Sequence, residues 1–458
     1  MEGMTTLVLA LIVGGALLLG GCSFYNHPFP VAKTTAVSPA FDLRIVQLDD
    51  FGSFWDPQAA ARVIADVEAQ ANGGNTLVML FVHGWHHNAD PGDTNLASFR
   101  ESLGQLADQF SKPLRREARQ QMTGSADLKI IGIYVGWRGR SLPGLLDYAT
   151  MWWRKDAAER VGDGDVAEFL ERLQRIYLRA NAFKRYQQNP GNTPFMGLVT
   201  IGHSFGAQVV LKSVSHEFES ELTERAPCLT DAVALPVAPQ NPQAERVPID
   251  SFGDLNILLN PALESYQYAR IDGLYRQLTY PTTQSPQLVV FSADNDVPRQ
   301  SYFPIARAIT RPFRPPFRNA YQGALWGEAL GELASQQTHE LRLAAGEPDA
   351  LTDEDYSVER RHRIADYDFT AATVFSGIRL SPLPGSHLIG NSPVAVIVTH
   401  DRIIDGHDGI FLPGFEQFLA PYIGFIEGKR VVLRYQRYLA LSNAGQDDTA
   451  SANASCAR

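Results

Sequence analysis

A serine lies at the centre of a glycine-bounded pentapeptide, Gly202-His203-Ser204-Phe205-Gly206. An apolar run at 196–201 precedes it and a helix-like stretch at 207–214 follows it, so the sequence predicts a strand, a sharp turn and a helix. Glycines on both sides of such a turn allow a strained backbone, which exposes the serine hydroxyl beside the N-terminus of the helix. A hydroxyl in this position becomes a nucleophile once a neighbouring base removes its proton.

The base is expected to be a histidine in a loop after the last strand. Val394–Thr399 is a strongly β-forming run, and two histidines follow it. His407 lies in the glycine-bounded loop 405–410, from which an imidazole can reach the serine, and it is the preferred base. His400 lies at the edge of the strand, where hydrogen bonds to local backbone are the simpler interpretation.

The acid that would orient this histidine is expected after an earlier strand, which the apolar run at 287–292 predicts. Two carboxylates follow the run, Asp294 and Asp296. Asp296 is the first choice and Asp294 the second, since the spacing from the end of the strand does not decide between them. Aspartates also form turns in such loops, so one of the two is expected to have only that role.

A second loop is expected to stabilise negative charge during the reaction. The apolar run 76–82 ends in the turn His83-Gly84-Trp85-His86-His87. Backbone N–H groups here and directly after the nucleophile can bind the oxyanion of a tetrahedral intermediate, and we assign these donors to Trp85 and Phe205. The three histidines could alternatively bind a metal, but no carboxylate or cysteine cluster accompanies them, and zinc needs three or four converging ligands. We therefore expect no metal, and a structural role for His83.

Ser204, an aspartate and a histidine follow one another along the chain in the order associated with α/β-hydrolases. With the motifs His-Gly-Trp, Gly-His-Ser-Phe-Gly, Ser-Ala-Asp-Asn-Asp-Val-Pro and Asp-Gly-His-Asp-Gly-Ile, the chain resembles the α/β-hydrolase superfamily from about residue 76 to about residue 426. The resemblance implies a three-layer α/β-hydrolase fold, with a mostly parallel sheet, helices on both faces and a triad at the carboxyl ends of the strands. It implies no metal and no organic cofactor. It does not specify a substrate, because members include esterases, lipases, thioesterases, peptidases, acyltransferases and proteins without activity.

The segments between these motifs also alternate between strand and helix patterns. Buried-strand patterns occur at 43–48, 129–137 and 255–260, and helix-length connections with apolar faces separate the strands. This alternation predicts one large α/β domain over 58–442. Two stretches, at about 138–193 and 307–392, exceed the minimal core and are expected to form lids or cap walls. Aromatic side chains in them could line a pocket or simply pack: Trp152, Trp153, Phe313, Phe317, Tyr321 and Trp326.

The N-terminus resembles the signal of a bacterial lipoprotein. Residues 5–21 are almost entirely apolar or small, a length that suits a signal segment better than a membrane span. Leu19-Gly20-Gly21-Cys22 resembles a lipobox, in which Cys22 is diacylated and becomes the mature N-terminus. The next residue is Ser23 and not Asp, which resembles the pattern of outer-membrane lipoproteins. Because residues 1–4 carry no Lys or Arg, an uncleaved anchor helix is the alternative. Both interpretations place the domain outside the cytoplasm, at a membrane of the bacterial cell envelope.

The remaining sequence limits partners and compartment. Residues 22–57 are predicted to form a tether and 443–458 a disordered tail. Cys228 and Cys456 could pair in an oxidising space or remain unpaired, and the sequence leaves both possibilities open. The 458 residues include 40 basic and 50 acidic ones, with no concentrated basic face, which argues against nucleic acid as a partner. The oligomeric state is not indicated.

These features predict a lipid-anchored serine hydrolase that cleaves a carboxylic ester, of a small molecule or a lipid. The expected groups are Ser204, Asp296 and His407, acting through an acyl-enzyme intermediate. A peptidase, a thioesterase or an acyltransferase would use the same groups. The alternative from another class is a noncatalytic envelope lipoprotein that keeps the fold as a binding scaffold. Such a protein would be expected to have lost the serine, the acid or the histidine, and all three are present.

Overall fold

The computed structural model describes most of the chain in ten stretches. They are residues 25–30, 40–144, 147, 150–226, 248–311, 315–344, 346–357, 359–368, 371–384 and 391–444. The predicted signal segment and all three cysteines, Cys22, Cys228 and Cys456, lie outside these ranges, as does most of the predicted tail. Within the described residues, no helix is both long enough and apolar enough to span a membrane.

One sheet of ten strands organises the described residues. In chain order the strands are β1 (Phe41–Gln47), β2 (Asn75–Val82), β3 (Leu128–Gly136), β4 (Met196–His203), β5 (Leu255–Leu259), β6 (Leu288–Ala293), β7 (His339–Leu343), β8 (Thr373–Phe375), β9 (Ile378–Pro382) and β10 (Val394–Thr399). Their spatial order is β1-β3-β2-β4-β5-β6-β10-β7-β9-β8. All pairs from β1 to β7 in this order are parallel, and β9 runs antiparallel to both of its neighbours.

Helices connect the strands. They are α1 (Pro57–Gly73), α2 (Thr94–Ser111), α3 (Pro113–Thr123), α4 (Met151–Asp163), α5 (Asp165–Ala180), α6 (Phe183–Gln188), α7 (Phe205–Arg225), α8 (Ala269–Tyr275), α9 (Phe303–Thr310), α10 (Ala320–Gly327), α11 (Arg361–Ala365) and α12 (Pro413–Ala444). Apolar residues of α1, α4, α5, α7 and α8 cover one face of the sheet. Apolar residues of α2 and α12 cover the opposite face.

The central strands are apolar on both sides because both faces of the sheet are covered. In β2, Val78, Leu80 and Val82 belong to one core, whereas Leu77, Met79 and Phe81 belong to the other. Successive side chains of a strand point to opposite faces, so a continuous apolar run supplies both cores at once. The predicted α/β class with a mostly parallel sheet and helices on both faces is therefore confirmed.

The sheet begins earlier than the predicted domain boundary at residue 58. β1 pairs in parallel with β3, from Phe41 opposite Ile130 to Gln47 opposite Gly136. This pairing corrects the predicted boundary between tether and domain at residue 58, because Phe41–Gln47 is an integral strand of the sheet. The pattern at 43–48 had predicted the strand itself.

The two predicted insertions contribute more to the core than lids would. Within 138–193, α5 is part of the crossover from β3 to β4, and it buries Phe169, Leu173 and Tyr177 in a core. Within 307–392, β7, β9 and β8 extend the sheet beyond β10. Trp326 at the end of α10 stacks on Tyr266 in the turn after β5, with ring centroids 4.6 Å apart.

Candidate functional site

The connections of the sheet diverge at the carboxyl ends of two neighbouring strands, β2 and β4. The chain leaves β2 through α2 on one face of the sheet and reaches β3, whereas it leaves β4 through α7 on the other face and reaches β5. Connections that diverge in this way open a space between the two strand ends, and open α/β sheets bind ligands there. Ser204 follows β4 and the His83 loop follows β2, so both predicted site loops lie at this point.

Ser204 has the strained backbone that the glycine-bounded turn predicted. Its φ is 56° and its ψ is −120°, values that a residue with a side chain rarely adopts. The surrounding backbone holds this conformation: the Ser204 N–H donates to the Leu259 carbonyl at 3.0 Å, and the Ser204 carbonyl accepts from the Ala207 and Ala262 N–H groups. Phe205 is the first residue of α7, where backbone N–H groups have no partner within the helix.

Two glycines are required because the loop after β2 lies directly against the elbow. A methyl group added to Gly84 would lie 2.6 Å from the Ser204 Cβ and 3.0 Å from the His203 carbonyl oxygen. A methyl group added to Gly206 would collide with the carbonyl oxygens of Val82 and His83. The side chains of Trp85 and Phe205 are also neighbours, with ring centroids 6.2 Å apart. The two residues assigned to oxyanion binding therefore lie on loops that are in contact beside the serine.

The structure brings Ser204, His407 and Asp296 into one hydrogen-bonded line. The His407 Nε2 lies 2.7 Å from the Ser204 Oγ, and the His407 Nδ1 lies 2.7 Å from the Asp296 Oδ2. Ser204 is separated by about two hundred residues from His407, and β4, β6 and β10 deliver the three side chains to the same edge of the sheet. Such a line can transfer the serine proton to an imidazole whose other nitrogen is fixed by a carboxylate.

Asp296 is fully buried and ionised. Burial alone would raise the pKa of this carboxyl, but the hydrogen bond with His407 and the positive charge of Arg299 hold its pKa below the ordinary value. The Arg299 N–H also donates to the Asp296 Oδ1 at 3.1 Å. Arg299 is itself buried and donates to the carbonyl oxygens of Pro261 and Leu330. Asp296 therefore keeps its charge without contact with water.

The two alternative residues form a second pair of their own. The His400 Nδ1 lies 2.8 Å from the Asp294 Oδ2, and the His400 Nε2 lies 3.5 Å from the Glu340 Oε2. Neither residue of the pair has a hydrogen bond to Ser204 among those of the described residues. The prediction that His400 is satisfied by local backbone is wrong in its detail, because carboxylates bind the ring. The geometry favours Asp296 and His407 as the partners of the serine.

Consecutive residues after β6 bind the loop after β10 from end to end. Asp294 bonds to His400, the Asn295 side chain bonds to Asp405 and to the Gly406 N–H, and Asp296 bonds to His407. Because β6 and β10 are parallel neighbours, their following loops lie side by side. A turn-forming sequence thus also serves to position the histidine loop.

Asn260 and His203 hold His407 from the other side, and the sequence patterns predicted a role for neither residue. The Asn260 Nδ2 donates to the carbonyl oxygens of His407 and Gly406, at 2.9 and 3.0 Å. The His203 Nε2 donates to the same His407 carbonyl at 3.0 Å. Asn260 has a φ of 42°, in the left-handed region that Asn tolerates better than most residues. An Asn directly after a buried strand was the signal available in the sequence.

We expect Asn260→Ala to lower kcat by up to about 10²-fold with little change in KM, because a small displacement of His407 weakens proton transfer more than binding. Asn260→Asp is the control: it keeps the acceptor for the Ala293 N–H but loses both donors to the loop. Steady-state kinetics of both variants provide the measurement. Equal values of kcat in Asn260→Ala and the parent protein would contradict a positioning role.

The three histidines of the loop after β2 do not converge on one point. The His83 Nδ1 lies 2.9 Å from the Gly84 carbonyl, and its Nε2 accepts from the Trp137 N–H. His86 bonds to Asp147, and His87 bonds to Asp93. The predicted structural role of His83, with its ring bonded to loop backbone, is confirmed.

A different group of side chains, the single one of this kind among the described residues, lies close enough to share a metal ion. It consists of His203, His407 and Asp408. The His407 ring already bonds to Ser204 and Asp296 through its two nitrogens, and the His203 Nε2 bonds to backbone. A metal would have to displace the serine or the aspartate from His407, so these residues suit proton transfer better than metal binding. The absence of a metal stays a prediction.

The buried histidines next to the site make stability depend on pH. Burial lowers the pKa of His83 to about 4, and burial together with the neighbouring His407 lowers the pKa of His203 to about 3. An unfolded chain binds a proton at each ring below a pH of roughly 6.5, whereas the folded chain does not until the lower pKa is reached. The unfolded state then binds more protons, so stability falls as the pH falls through this window.

We expect the free energy of unfolding to decrease between pH 6.5 and pH 4 by up to about 1.4 kcal/mol per pH unit for each of the two rings. Urea unfolding at a series of pH values measures the slope. His83→Gln keeps a donor and an acceptor but does not titrate. The slope of its free energy of unfolding against pH should therefore be smaller by the contribution of one proton, up to about 1.4 kcal/mol per pH unit. An identical slope in this variant would show that other groups carry the pH dependence.

A cleft of about 700 Å³ lies between α4, α7 and the turn after β5. Glu264 is buried at its wall, with Lys155 Nζ at 3.1 Å and Arg307 Nη1 at 2.9 Å. The sequence left open whether six aromatic side chains of the insertions line a pocket or pack in the core. Two of them, Trp152 and Trp326, line this cleft. Tyr321 packs in a small core, and Phe317 lies under Arg311. Trp153 is exposed, and Phe313 is outside the described residues.

Comparisons of the chain with protein-family models, with curated proteins and with solved structures found no match. The class of the protein therefore follows from its own fold and site. It is an α/β protein with a mostly parallel sheet and a hydrogen-bonded serine, histidine and aspartate at the carboxyl ends of its strands.

Proposed function

We propose that the chain is a serine hydrolase of the α/β-hydrolase type that cleaves carboxylic esters. The observation that carries the proposal is the line from the Ser204 Oγ through the His407 ring to the Asp296 carboxylate, with both contacts at 2.7 Å. The strained serine at the start of a helix and the order of the three residues along the chain support the same assignment.

In the proposed reaction, the His407 Nε2 removes the proton of Ser204 while the serine Oγ attacks the ester carbonyl carbon. The Nδ1–H of His407 donates to Asp296, whose charge stabilises the imidazolium that forms. His407 then gives its proton to the departing alkoxide, which leaves as the alcohol, and an acyl group remains on the serine. Water, deprotonated by His407, attacks the acyl carbonyl. His407 then returns this proton to the Ser204 Oγ as the carboxylic acid leaves, which restores the free serine and the neutral imidazole.

We assign the oxyanion of both tetrahedral intermediates to the backbone N–H groups of Phe205 and Trp85. Phe205 follows the nucleophile at the N-terminus of α7, and Trp85 lies on the loop whose Gly84 is in contact with Ser204. Donors on backbone that is already fixed stabilise charge without reorganisation during the reaction. Neither assignment involves a metal or an organic cofactor.

A fluorophosphonate probe tests the proposal most directly, because it reacts with activated serines. We expect covalent labelling of the purified protein at Ser204, identified by mapping the labelled peptide. Labelling would justify a comparison of ester, thioester and amide substrates, since a thioesterase, peptidase or acyltransferase would use the same groups. A folded protein that remains unlabelled at Ser204 would favour the noncatalytic binding scaffold.

We further propose that the protein acts at the cell envelope of a bacterium, held at a membrane through Cys22, with the outer membrane favoured. The lipobox-like Leu19-Gly20-Gly21-Cys22 supports this part of the proposal. In metabolic labelling, a palmitate analogue should be attached to Cys22 of the parent chain, and the Cys22→Ser variant should remain unlabelled. The same comparison by mass separates a cleaved lipoprotein from an uncleaved anchor.

A further inference from the structure

The segment that follows the predicted lipid anchor is attached to the carboxyl edge of the sheet. Gln47, the last residue of β1, forms two hydrogen bonds with Phe29: the Phe29 N–H donates to its Oε1 at 2.8 Å, and its Nε2 donates to the Phe29 carbonyl at 2.9 Å. Residues of the same segment line a small cleft with Gly136 and Trp137, at the carboxyl end of β3. The 25–30 segment is therefore held at the edge where the site lies.

A short series of contacts connects this segment to the nucleophile. The Arg140 guanidinium lies 5.4 Å from the centre of the Tyr25 ring, and the Arg140 N–H donates to the His87 carbonyl at 3.0 Å. His87 belongs to the loop that carries Gly84, which is in contact with Ser204. The anchor side and the site thus share one continuous group of loops.

The covalent distance from the anchor to this edge is short. Tyr25 is the third residue after Cys22. Because three residues of extended chain span at most about 11 Å, an acyl chain on Cys22 enters a bilayer close to Tyr25. For an uncleaved anchor over residues 1–21, four residues separate the anchor from Tyr25, and they span at most about 14 Å. Either form of attachment restrains the carboxyl edge of the sheet near the membrane.

Exposed apolar side chains are concentrated at this edge. Among the described residues, the turns that follow β1, β5 and β6 expose Phe51, Trp55, Tyr266 and Val297. Helices α4 and α9 expose Trp153 and Ile305, and both helices form ion pairs with Glu264 in the turn after β5. Leu178 and Leu439 are exposed near the ends of α5 and α12, at the opposite edge. Phe51 is 78% exposed and Ile305 is 59% exposed. Apolar and aromatic side chains of this kind favour a membrane interface.

We propose that the chain lies with the carboxyl edge of its sheet against a phospholipid bilayer, so that Ser204 takes its ester substrates from lipids of that bilayer. The inference rests on the proposed hydrolase function and on attachment through the N-terminal segment. The attachment supplies the proximity, and the apolar side chains around the site supply the orientation.

The orientation can be measured with the membrane-anchored full chain reconstituted in vesicles that contain brominated phospholipids, which quench nearby tryptophans. We expect quenching of the parent protein, and a smaller quenched fraction in Trp55→Phe and Trp153→Phe. Leu439→Trp places a matched reporter at the opposite edge, and its added emission should not be quenched. Quenching of the Leu439→Trp reporter would overturn the proposal. A lack of quenching of Trp55 and Trp153 would also overturn it, and this is the result expected if another protein or a second copy of the chain covers this edge.

The substrate side of the proposal requires a comparison of two esters. Phe51→Ser combined with Ile305→Ser should lower hydrolysis of a vesicle phospholipid about tenfold relative to hydrolysis of a soluble short-chain ester. Leu178→Ser combined with Leu439→Ser removes similar side chains from the opposite edge and should leave the ratio unchanged. An unchanged ratio in the first variant would overturn substrate capture from the bilayer.

Fluorophosphonate labelling of the same preparations keeps the two proposals apart. Normal labelling at Ser204 without tryptophan quenching refutes the membrane-facing orientation alone. Quenching of Trp55 and Trp153 without labelling refutes the hydrolase proposal, and the orientation then stands as a property of a binding protein.

Discussion

Ser204→Ala is expected to lower kcat for ester hydrolysis by roughly 10⁶-fold and to abolish fluorophosphonate labelling, because no other group replaces the attacking oxygen. His407→Ala should lower kcat by a similar factor, since the serine hydroxyl is not activated without its base. The two effects should not add in the double variant, because the residues act as one unit. Kinetics with a chromogenic ester provide the measurement.

Ser213→Ala is a matched control for the serine. Ser213 lies on α7, the helix that begins after the nucleophile, and its hydroxyl donates to the carbonyl oxygens of Gly162 and Val209. Its replacement removes a hydroxyl without touching the site, so activity should stay within a few-fold of the parent value. Substantial activity in Ser204→Ala, with Ser213→Ala unchanged, would refute Ser204 as the nucleophile.

Asp296→Asn is expected to lower kcat by about 10⁴-fold, because an amide neither stabilises the imidazolium nor holds the His407 tautomer that accepts the serine proton. Asp294→Asn is the matched control: the same change two residues earlier, in the other aspartate–histidine pair, should change kcat by only a few-fold. Steady-state kinetics and melting temperatures of both variants separate catalysis from stability. A larger loss of kcat in Asp294→Asn would reverse the assignment.

The histidines offer the same comparison. His400→Ala leaves the line from Ser204 to Asp296 intact, since the His400 ring bonds to Asp294 and lies near Glu340. We therefore expect normal labelling of Ser204 in His400→Ala and no labelling in His407→Ala. This pair of variants excludes a general loss of folding as the cause, because both remove an imidazole from the same loop region.

Much of the fold was readable because buried parallel strands are continuous apolar runs. The patterns at 76–82, 196–201 and 394–399 lie within the observed strands, with small differences at the ends. The insertions were harder to interpret. Their helices and strands bury apolar faces against the sheet, and a sequence pattern shows that a face is apolar without showing what covers it. Phe169 of α5 is an example, since it packs on the sheet and not over the site.

The sequence by itself determined the elbow at Ser204, because the strand, the two glycines and the helix are local features that adjacent residues specify. Only the tertiary structure decided between Asp294 and Asp296, since the choice depends on how two loops from parallel neighbouring strands lie beside each other. Asn260 became visible for the same reason: its hydrogen bond to the His407 carbonyl crosses 147 residues of chain. Local preferences specify elements, whereas contacts across such distances depend on sheet order and strand register, which no single segment contains.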